Sequence, residues 1–240
     1  PTSMPTPAAV ILPHTIYTFS TADAQLMIST GTQTHRILLP NGIQQLVPGT
    51  QYIAVRDNNN DVSIIDSVSK RKTSLPMACD SIAWHYDADT LWCVAYGDVY
   101  RVNPTQSQLV AMAPAGYHFV HAMHRPATTD IWAIRANDTG MMEFCQITPT
   151  LSCLATAVVA AWSPAGAQVA IADQQQLVLM DATGMSSAEV PLSRVSAISW
   201  IDDDTLFVRT DTETFVYQLR TRILTNTTTQ IPARYLLGVQ

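Results

Sequence analysis

Lysine and glutamate are nearly missing from this chain of 240 residues, and charged residues together make up only 13% of it. Globular proteins usually carry about 25%. The lysines are Lys70 and Lys72, and the glutamates are Glu143, Glu189 and Glu213. Because long surface helices usually carry charged residues on their solvent face, this shortage argues against a helical fold. Threonine, glutamine, serine and asparagine supply the polar surface instead, which fits strands joined by short turns.

Positive charge and long apolar runs are scarce as well. The net charge is −6, and the only basic run is Ser69–Lys72. A nucleic-acid-binding protein needs several lysines or arginines directed at phosphates, so we expect no nucleic-acid partner. No stretch approaches the roughly 18 consecutive apolar residues of a membrane span, so we expect no transmembrane segment in this chain.

The short motifs of several enzyme classes are also missing. The sequence contains no Gly-x-Ser-x-Gly elbow, no P-loop and no dinucleotide-binding fingerprint. We therefore assign no catalytic residue and no cofactor, and we favour a role that is not enzymatic.

What the chain does contain is a repeat of about 38 residues. Each copy has a short apolar strand, a polar turn and a further strand, and five of the six copies end with an aliphatic residue followed by proline. Proline lacks an N–H group and therefore belongs on an edge strand or at a strand end. The second strands of the copies begin at Ile16, Tyr52, Leu91, Ile131, Val169 and Leu206, which are 36, 39, 40, 38 and 37 residues apart by subtraction. The aliphatic–proline pairs are Leu39–Pro40, Leu75–Pro76, Ala113–Pro114, Val190–Pro191 and Ile231–Pro232.

Six such copies predict an all-β protein, a six-bladed β-propeller of four-stranded antiparallel blades. We expect a single propeller domain over residues 8–240, preceded at residues 1–7 by a proline- and threonine-rich linker or stalk remnant. Either Ala8–Leu12 or Arg234–Gln240 would supply the missing inner strand of the first blade. A blade buries both of its faces only inside a closed ring, so we expect Trp84, Trp162 and Trp200, which end first strands, to be buried between blades.

One copy carries a recognisable motif. The stretch WSPAGAQVAIADQQQLVLMDATG begins at Trp162, and its Trp162, Ser163, Pro164, Gly166 and Ala170 match the W-S-P-D-G-x-x-[IL]-A pattern, with Ala165 in place of aspartate. It resembles the WD-repeat-like blade of TolB-type propellers. The resemblance covers the whole chain as periodicity but only this blade as motif, and it implies a fold and not a function.

The four cysteines suggest disulfides. Cys145 and Cys153 stand at equal distances from a turn at Pro149, so they face each other across a predicted hairpin. Cys79 and Cys93 flank another turn near Asp87–Asp89 but are about three residues out of register, so the sequence supports their pairing less than that of the first pair. A disulfide forms only where the chain meets an oxidising environment. Together with the Pro/Thr-rich start, the first pair predicts an extracytoplasmic protein, whether periplasmic, on the cell surface as a lipoprotein, or secreted.

Two groups of residues resemble metal sites without meeting the requirements. His118, His121 and His124 are three apart, and residues three apart on a strand point to opposite faces, so they converge on one ion only if the backbone is irregular. Residues 57–61, DNNND, resemble the start of a calcium loop, but Val62 and Val68 replace the required glycine and glutamate. We interpret this stretch as a hairpin turn and assign no metal ligand.

Two functions from different classes remain. The first is a non-catalytic recognition or scaffold module that binds a protein or glycan partner through the loop face of the propeller and is tethered through its N-terminal stalk. The alternative is a propeller hydrolase or lyase with a metal in the central channel. We favour the first, because loops on a rigid scaffold commonly carry binding residues. The candidate binding residues are Asn41, Asp57, Asn59, Tyr96, Asp98, Tyr117, His118, Arg135, Asn137 and Asp211.

Overall fold

The structure is a computed structural model, which describes residues 15–20, 24–30, 33–49, 51–85, 90–228 and 236–239. Every regular element in these residues is a β-strand. In the described part of the chain, no helix is long and apolar enough to cross a membrane. The preference of valine, isoleucine, threonine and aromatic residues for β-strands fits this all-β structure.

Twenty-four strands follow one another along the chain. The first twelve are β1 (Thr15–Ser20), β2 (Gln25–Thr30), β3 (Gln33–Leu38), β4 (Gln45–Pro48), β5 (Tyr52–Arg56), β6 (Val62–Asp66), β7 (Lys72–Ser74), β8 (Ser81–Trp84), β9 (Leu91–Ala95), β10 (Asp98–Asn103), β11 (Gln106–Ala111) and β12 (Tyr117–His124). The others are β13 (Ile131–Asn137), β14 (Met142–Gln146), β15 (Ser152–Thr156), β16 (Val159–Trp162), β17 (Val169–Ala172), β18 (Leu177–Met180), β19 (Ser186–Val190), β20 (Val195–Asp202), β21 (Thr205–Thr210), β22 (Thr214–Gln218), β23 (Ile223–Asn226) and β24 (Leu236–Val239).

Within the described residues, these strands form six four-stranded antiparallel sheets. Five sheets consist of consecutive strands: β4–β7, β8–β11, β12–β15, β16–β19 and β20–β23. We call them blades 2 to 6 in chain order. The remaining sheet, blade 1, has the order β24-β1-β2-β3. The prediction of an all-β propeller with four-stranded antiparallel blades is confirmed.

The C-terminal strand supplies the inner edge of blade 1. β24 pairs antiparallel with β1, and it also contacts β4 of blade 2 and β20 of blade 6. Of the two segments expected to complete this blade, the C-terminal one therefore does so. The other, Ala8–Leu12, lies outside the described residues, as does the predicted linker at residues 1–7.

Aromatic side chains fill the space between blades 4 and 5. Trp162 is 8% exposed, and its ring meets the Trp132 ring edge-on at a centroid distance of 5.2 Å. Trp132 in turn stacks on Phe144 at 5.0 Å. Arg125 lies over the Trp162 ring, with 5.2 Å between Cζ and the ring centroid. The prediction that Trp162 is buried between blades is confirmed.

The same prediction is wrong in part for Trp84 and Trp200, which are only half-buried. Each indole instead donates a hydrogen bond to the preceding blade: Trp84 Nε1 to the Val47 carbonyl at 3.0 Å, and Trp200 Nε1 to the Ala161 carbonyl at 2.9 Å. An indole needs a partner for its N–H group, and a position at the rim leaves part of the ring in solvent. These two tryptophans therefore join neighbouring blades by hydrogen bonds as well as by packing.

The blade 5 motif has a structural role. Ser163 is 1% exposed, and Gly166 donates to the Ser163 carbonyl in a tight turn at 2.8 Å. Gly166 has a φ of +68°, and a Cβ placed there would lie 2.4 Å from the Pro126 carbonyl oxygen. The Arg125 guanidinium then donates to the Gly166 carbonyl at 2.7 Å. Glycine is needed here because the turn presses directly against blade 4.

Both cysteine pairs are joined. Cys145 pairs with Cys153 in the ladder between β14 and β15, as predicted, and the two form a disulfide. Cys79 and Cys93, the pair that the register supported less, also form a disulfide. Cys79 lies in the segment leading into β8, before the ladder begins, and Asp80 N donates to the Val94 carbonyl. The register of the hairpin therefore does not restrict Cys79.

Candidate functional site

One face of the propeller carries the loops that follow second and fourth strands, and we call it the upper face. The opposite, lower face carries the loops that follow first and third strands. All ten predicted binding residues lie on the upper face. Each is either in a loop that follows a second or fourth strand or in the strand end next to such a loop. The structure divides them between a patch on blades 3 and 4, a turn on blades 1 and 2, and a separate turn on blade 6.

The turn between β9 and β10 displays an aromatic side chain. Tyr96 and Gly97 both have positive φ, +54° and +83°, as the favoured two-residue hairpin turn requires. Tyr96 is 88% exposed. The Gly97 carbonyl accepts a hydrogen bond from Phe119 N at 2.8 Å, which joins this turn to the first strand of blade 4. A Cβ at Gly97 would lie 3.1 Å from Cβ of His118, so the two blades meet closely here.

A second exposed apolar side chain comes from the loop that joins these blades. Met112 is 71% exposed. Its loop is held in place because Asp98 accepts a hydrogen bond from Ala113 N at 2.8 Å, while Tyr117 N donates to the Pro114 carbonyl at 3.0 Å. Asp98, one of the predicted binding residues, therefore positions the loop.

Tyr117 and Arg135 form a rigid neighbour to these side chains. The Arg135 Cζ lies 4.0 Å from the centroid of the Tyr117 ring, a cation–π contact. Arg135 also donates from Nε and Nη2 to one carboxylate oxygen of Glu143, at 3.1 and 2.9 Å. The guanidinium is held from two sides, and the Arg135 side chain is 12% exposed. We define the blade 3–4 patch as Tyr96, Met112, Tyr117, His118 and Arg135.

The other predicted residues mainly stabilise turns. Asn137 accepts from Thr139 N and Met141 N, at 3.0 and 2.9 Å, at the edge of the blade 3–4 patch. Asn41 donates to Asp57 at 2.9 Å between blades 1 and 2. The other carboxylate oxygen of Asp57 accepts from the backbone of Asn59 at 2.9 Å, which supports the interpretation of this stretch as a hairpin turn.

Asp211 stands apart from these groups, in the exposed turn of blade 6 before β22. Burial lowers the pKa of the nearby Arg209, and the Asp211 carboxylate raises it. The structure does not bring Asp211 to the blade 3–4 patch.

The three histidines occupy different environments. His118 is exposed on the upper face, whereas His124 Nδ1 lies 3.1 Å from the Trp84 carbonyl. His121 faces the central channel, and its Nδ1 is hydrogen-bonded to the Ser81 hydroxyl. Burial lowers the pKa of His121 from 6.5 to about 4, so its imidazole is neutral at ordinary pH. The backbone irregularity in β12, a register shift between Phe119 and His121, does not bring the three rings together.

A central channel with a volume of about 410 Å³ runs between the first strands of blades 2, 4, 5 and 6. Aliphatic residues such as Leu46 and Ile198 make up much of its lining, and polar groups come from Gln44, Ser196 and Arg209. Sequence reasoning missed these channel residues, because the pattern within one repeat does not show which strand residues of several blades line a common space. It also missed Met112 and Glu143, although the exposed position of Met112 follows from its place after a fourth strand.

Among the described residues, one group of possible metal ligands lies close together: Glu143, Cys145 and Cys153. The two cysteines are joined in a disulfide, so their sulfur atoms are not thiolate ligands. His121 is the only imidazole in the described lining of the channel, and that lining holds no carboxylate.

Comparisons with known proteins support the fold alone. No family model and no curated protein matches the sequence. A chain of the nidogen/laminin complex is similar in structure with a TM-score of 0.66 at 11% identity, covering 89% of this chain and 92% of that one. Hsv2 of Kluyveromyces lactis has a TM-score of 0.54 at 14% identity, with 91% and 83% covered.

A chain of the mitotic checkpoint complex has a TM-score of 0.53 at 13% identity, with 76% and 63% covered. The resemblance to TolB-type propellers stays a prediction. At these identities the likeness shows a shared architecture and no shared chemistry. The chain is a β-propeller with two disulfides and an exposed, braced patch on one face.

Proposed function

We propose that this chain is a non-catalytic recognition module, which binds a protein partner through the blade 3–4 patch outside the cytoplasm. The observation that carries the proposal is the exposure of Tyr96 and Met112 beside a guanidinium that is already fixed. Tyrosine, methionine and arginine are enriched at protein interfaces. Holding Arg135 in place before binding reduces the entropy lost when a partner docks.

The architecture supports this role. We propose that the six sheets act as the six blades of one closed ring, five made from consecutive strands and one from the two ends of the described chain. Such a ring holds the loops of its upper face in fixed positions, which suits recognition. The chains of similar fold from the nidogen/laminin and mitotic checkpoint complexes come from protein assemblies, which is compatible with a partner of the same class.

The compartment follows from the two disulfides. Cys79–Cys93 and Cys145–Cys153 account for all four cysteines. Disulfides persist in oxidising compartments and are rare in the cytosol. We therefore propose an extracytoplasmic location, with residues 1–7 as a stalk. Thiol alkylation of protein from its native source, under denaturing and non-reducing conditions, should find no free thiol, and four free thiols would overturn the proposed location.

A matched pair of variants tests the binding face. The double variant Tyr96→Ser with Met112→Ser removes both exposed side chains of the patch. The control, Val68→Ser with Met185→Ser, removes two apolar side chains of the lower face that are 83% and 70% exposed. Each variant replaces two highly exposed side chains by serine and should remain as stable as the wild type, because neither changes the core.

The measurement is quantitative capture of proteins from the native compartment on immobilised wild type and on each variant. We expect at least one partner to be retained roughly tenfold less by the patch variant, as loss of an interface anchor worth about 1.4 kcal/mol implies. The lower-face control should retain that partner fully. If no captured protein distinguishes the two variants, the patch is not the binding surface.

A further inference from the structure

The two faces of the propeller differ in charge. Each charged residue of the described chain belongs to the face that is nearer to it along its strand or loop. The upper face has ten carboxylates and five arginines, whereas the lower face has six carboxylates and seven basic residues. The upper carboxylates are Asp57, Asp61, Asp80, Asp98, Asp138, Glu143, Asp173, Glu189, Asp211 and Glu213, and the upper arginines are Arg36, Arg56, Arg135, Arg194 and Arg209. The surplus of negative charge in the described chain therefore lies on the upper face.

Three of these carboxylates border the blade 3–4 patch. Asp98 follows the turn that displays Tyr96, and Asp138 lies in the turn after β13. Asp80 N donates to the Val94 carbonyl at 2.7 Å, which places Asp80 beside the strand that leads to Tyr96. Neither Asp98 nor Asp138 has an ion-pair partner in the described part of the chain.

The arginines near the patch offset only part of this charge. Arg135 is paired with Glu143, so these two charges balance each other. Burial lowers the pKa of Arg56, and attraction from Asp80 raises it, so Arg56 and Asp80 partly compensate each other. A cation that approaches the patch therefore meets a surplus of carboxylates.

The carboxylates do not converge as the ligands of a metal ion would. Among the described residues, the only possible ligands that lie close together are Glu143, Cys145 and Cys153, and the cysteines form a disulfide. Charge spread over a face instead creates a field that attracts an extended cationic partner. Tyr96 and Met112 add contacts that an inorganic ion cannot use, because an aromatic ring attracts a guanidinium or ammonium group and an apolar side chain packs on its aliphatic stem.

We propose that the blade 3–4 patch recognises a basic segment of a protein, whose arginine or lysine side chains lie on Tyr96 and Met112 between the bordering carboxylates. This inference rests on the function proposed for the patch and adds the chemistry of the partner. Complementary charge across an interface raises the rate of association and excludes partners of the wrong sign.

Three capped peptides of equal length test the preference for charge. The basic probe is acetyl-Gly-Arg-Leu-Arg-Leu-Arg-Gly-amide, and the neutral and acidic controls carry glutamine or glutamate in place of each arginine. Nuclear magnetic resonance titration of the intact, isotope-labelled protein measures both affinity and location. We expect the basic peptide to bind roughly tenfold more tightly than the neutral one and to shift the backbone signals of Tyr96, Gly97 and Met112. Raising the salt concentration from about 0.01 to 0.15 M should weaken this binding, because the Debye length falls from about 30 to 8 Å.

A matched pair of charge variants locates the attraction. Asp80→Asn with Asp138→Asn removes two exposed carboxylates beside the patch, whereas Asp202→Asn with Asp203→Asn removes two exposed carboxylates of the lower face. Both variants change the net charge equally and keep the shape of each side chain. The first should weaken binding of the basic peptide about fivefold, as the loss of two exposed ion pairs implies. The second should change it little.

Thermal unfolding shows whether each variant is folded. If one is not, the peptide comparison and the shifted signals of the wild type still decide. Equal weakening by both variants, equal binding of the basic and neutral peptides, or no saturable binding of the basic peptide contradicts the inference.

Failure of this inference differs from failure of the proposed function. A partner that Tyr96→Ser with Met112→Ser fails to retain still establishes the patch as a binding surface. If Asp80→Asn with Asp138→Asn retains that partner fully, the patch binds a protein that is not basic.

Discussion

Replacing Trp162 with alanine tests the packing between blades 4 and 5. The ring is 8% exposed and is enclosed by Trp132, Phe144 and Arg125. Its Nε1 is buried and has no hydrogen-bond partner among the described residues. The substitution therefore removes packing and no hydrogen bond. We expect a loss of about 3–5 kcal/mol in the free energy of unfolding, the range for a buried aromatic residue changed to alanine.

Trp200 provides the contrast, because it is half-buried and donates to the Ala161 carbonyl. Trp200→Ala should cost less, about 2 kcal/mol, of which about 1 kcal/mol comes from the lost hydrogen bond. Phenylalanine separates the two contributions. Trp162→Phe keeps most of the packing and should recover more than half of the loss, whereas Trp200→Phe still lacks the donor and should recover less.

Urea unfolding followed by far-ultraviolet circular dichroism measures all four variants, since that signal does not depend on tryptophan fluorescence. The slope with denaturant must stay equal to that of the wild type, so that a shifted midpoint reports stability. A loss below about 1 kcal/mol for Trp162→Ala, or a larger loss for Trp200→Ala, would refute the argument that the first ring is a packed core residue.

Three further predictions concern the turn, the channel and the disulfides. Gly166→Ala should destabilise the protein more than Gly140→Ala, and thermal unfolding compares the two variants. Both glycines have positive φ, but an added Cβ at Gly166 would lie 2.4 Å from the Pro126 carbonyl oxygen, whereas one at Gly140 would meet nothing within 4 Å. Since the pKa of His121 falls from 6.5 to about 4 on folding, the unfolded chain binds more protons between these values. The contribution of His121 to stability should therefore be fully present above pH 6.5 and be lost as the pH falls towards 4. Urea midpoints measured against pH should decline less in His121→Gln than in the wild type, whereas His118→Gln should decline as the wild type does. Removing the disulfide Cys79–Cys93 or Cys145–Cys153 by paired serine substitution should lower the free energy of unfolding by about 2–3 kcal/mol. The loss should be slightly larger for the first disulfide, because its cysteines are 14 rather than 8 residues apart. Equal or reversed losses in urea unfolding would show that chain entropy does not set the order.

The strands and the antiparallel sheets were predictable because they depend on local patterns. Short apolar runs bounded by Asp, Asn, Gly and Pro specify strands and turns with little help from the rest of the chain. The pairing of Cys145 with Cys153 followed in the same way from a hairpin. The Cys79–Cys93 pair did not, because Cys79 enters from a segment outside the ladder.

Contacts between blades were harder to predict. Residue type suggested that Trp84, Trp162 and Trp200 were equivalent, but their burial depends on what the neighbouring blade provides. Trp132 and Arg125 enclose Trp162, whereas Trp84 finds a backbone carbonyl and open solvent. The blade 3–4 patch likewise depends on the contact of Gly97 with Phe119, which joins positions 22 residues apart by subtraction. No pattern within a single repeat contains that information.

The pairing of β24 with β1 has a consequence for synthesis and assembly. β1 is among the first strands to be made, and its partner follows every other strand of the described chain. Until β24 arrives, the inner edge of β1 carries unpaired backbone groups, which offer a template for strands of other molecules. Two copies that exchange β24 would each form the same ladder in the partner molecule, so strand-swapped dimers are the misassembly to which this topology exposes the protein at high concentration.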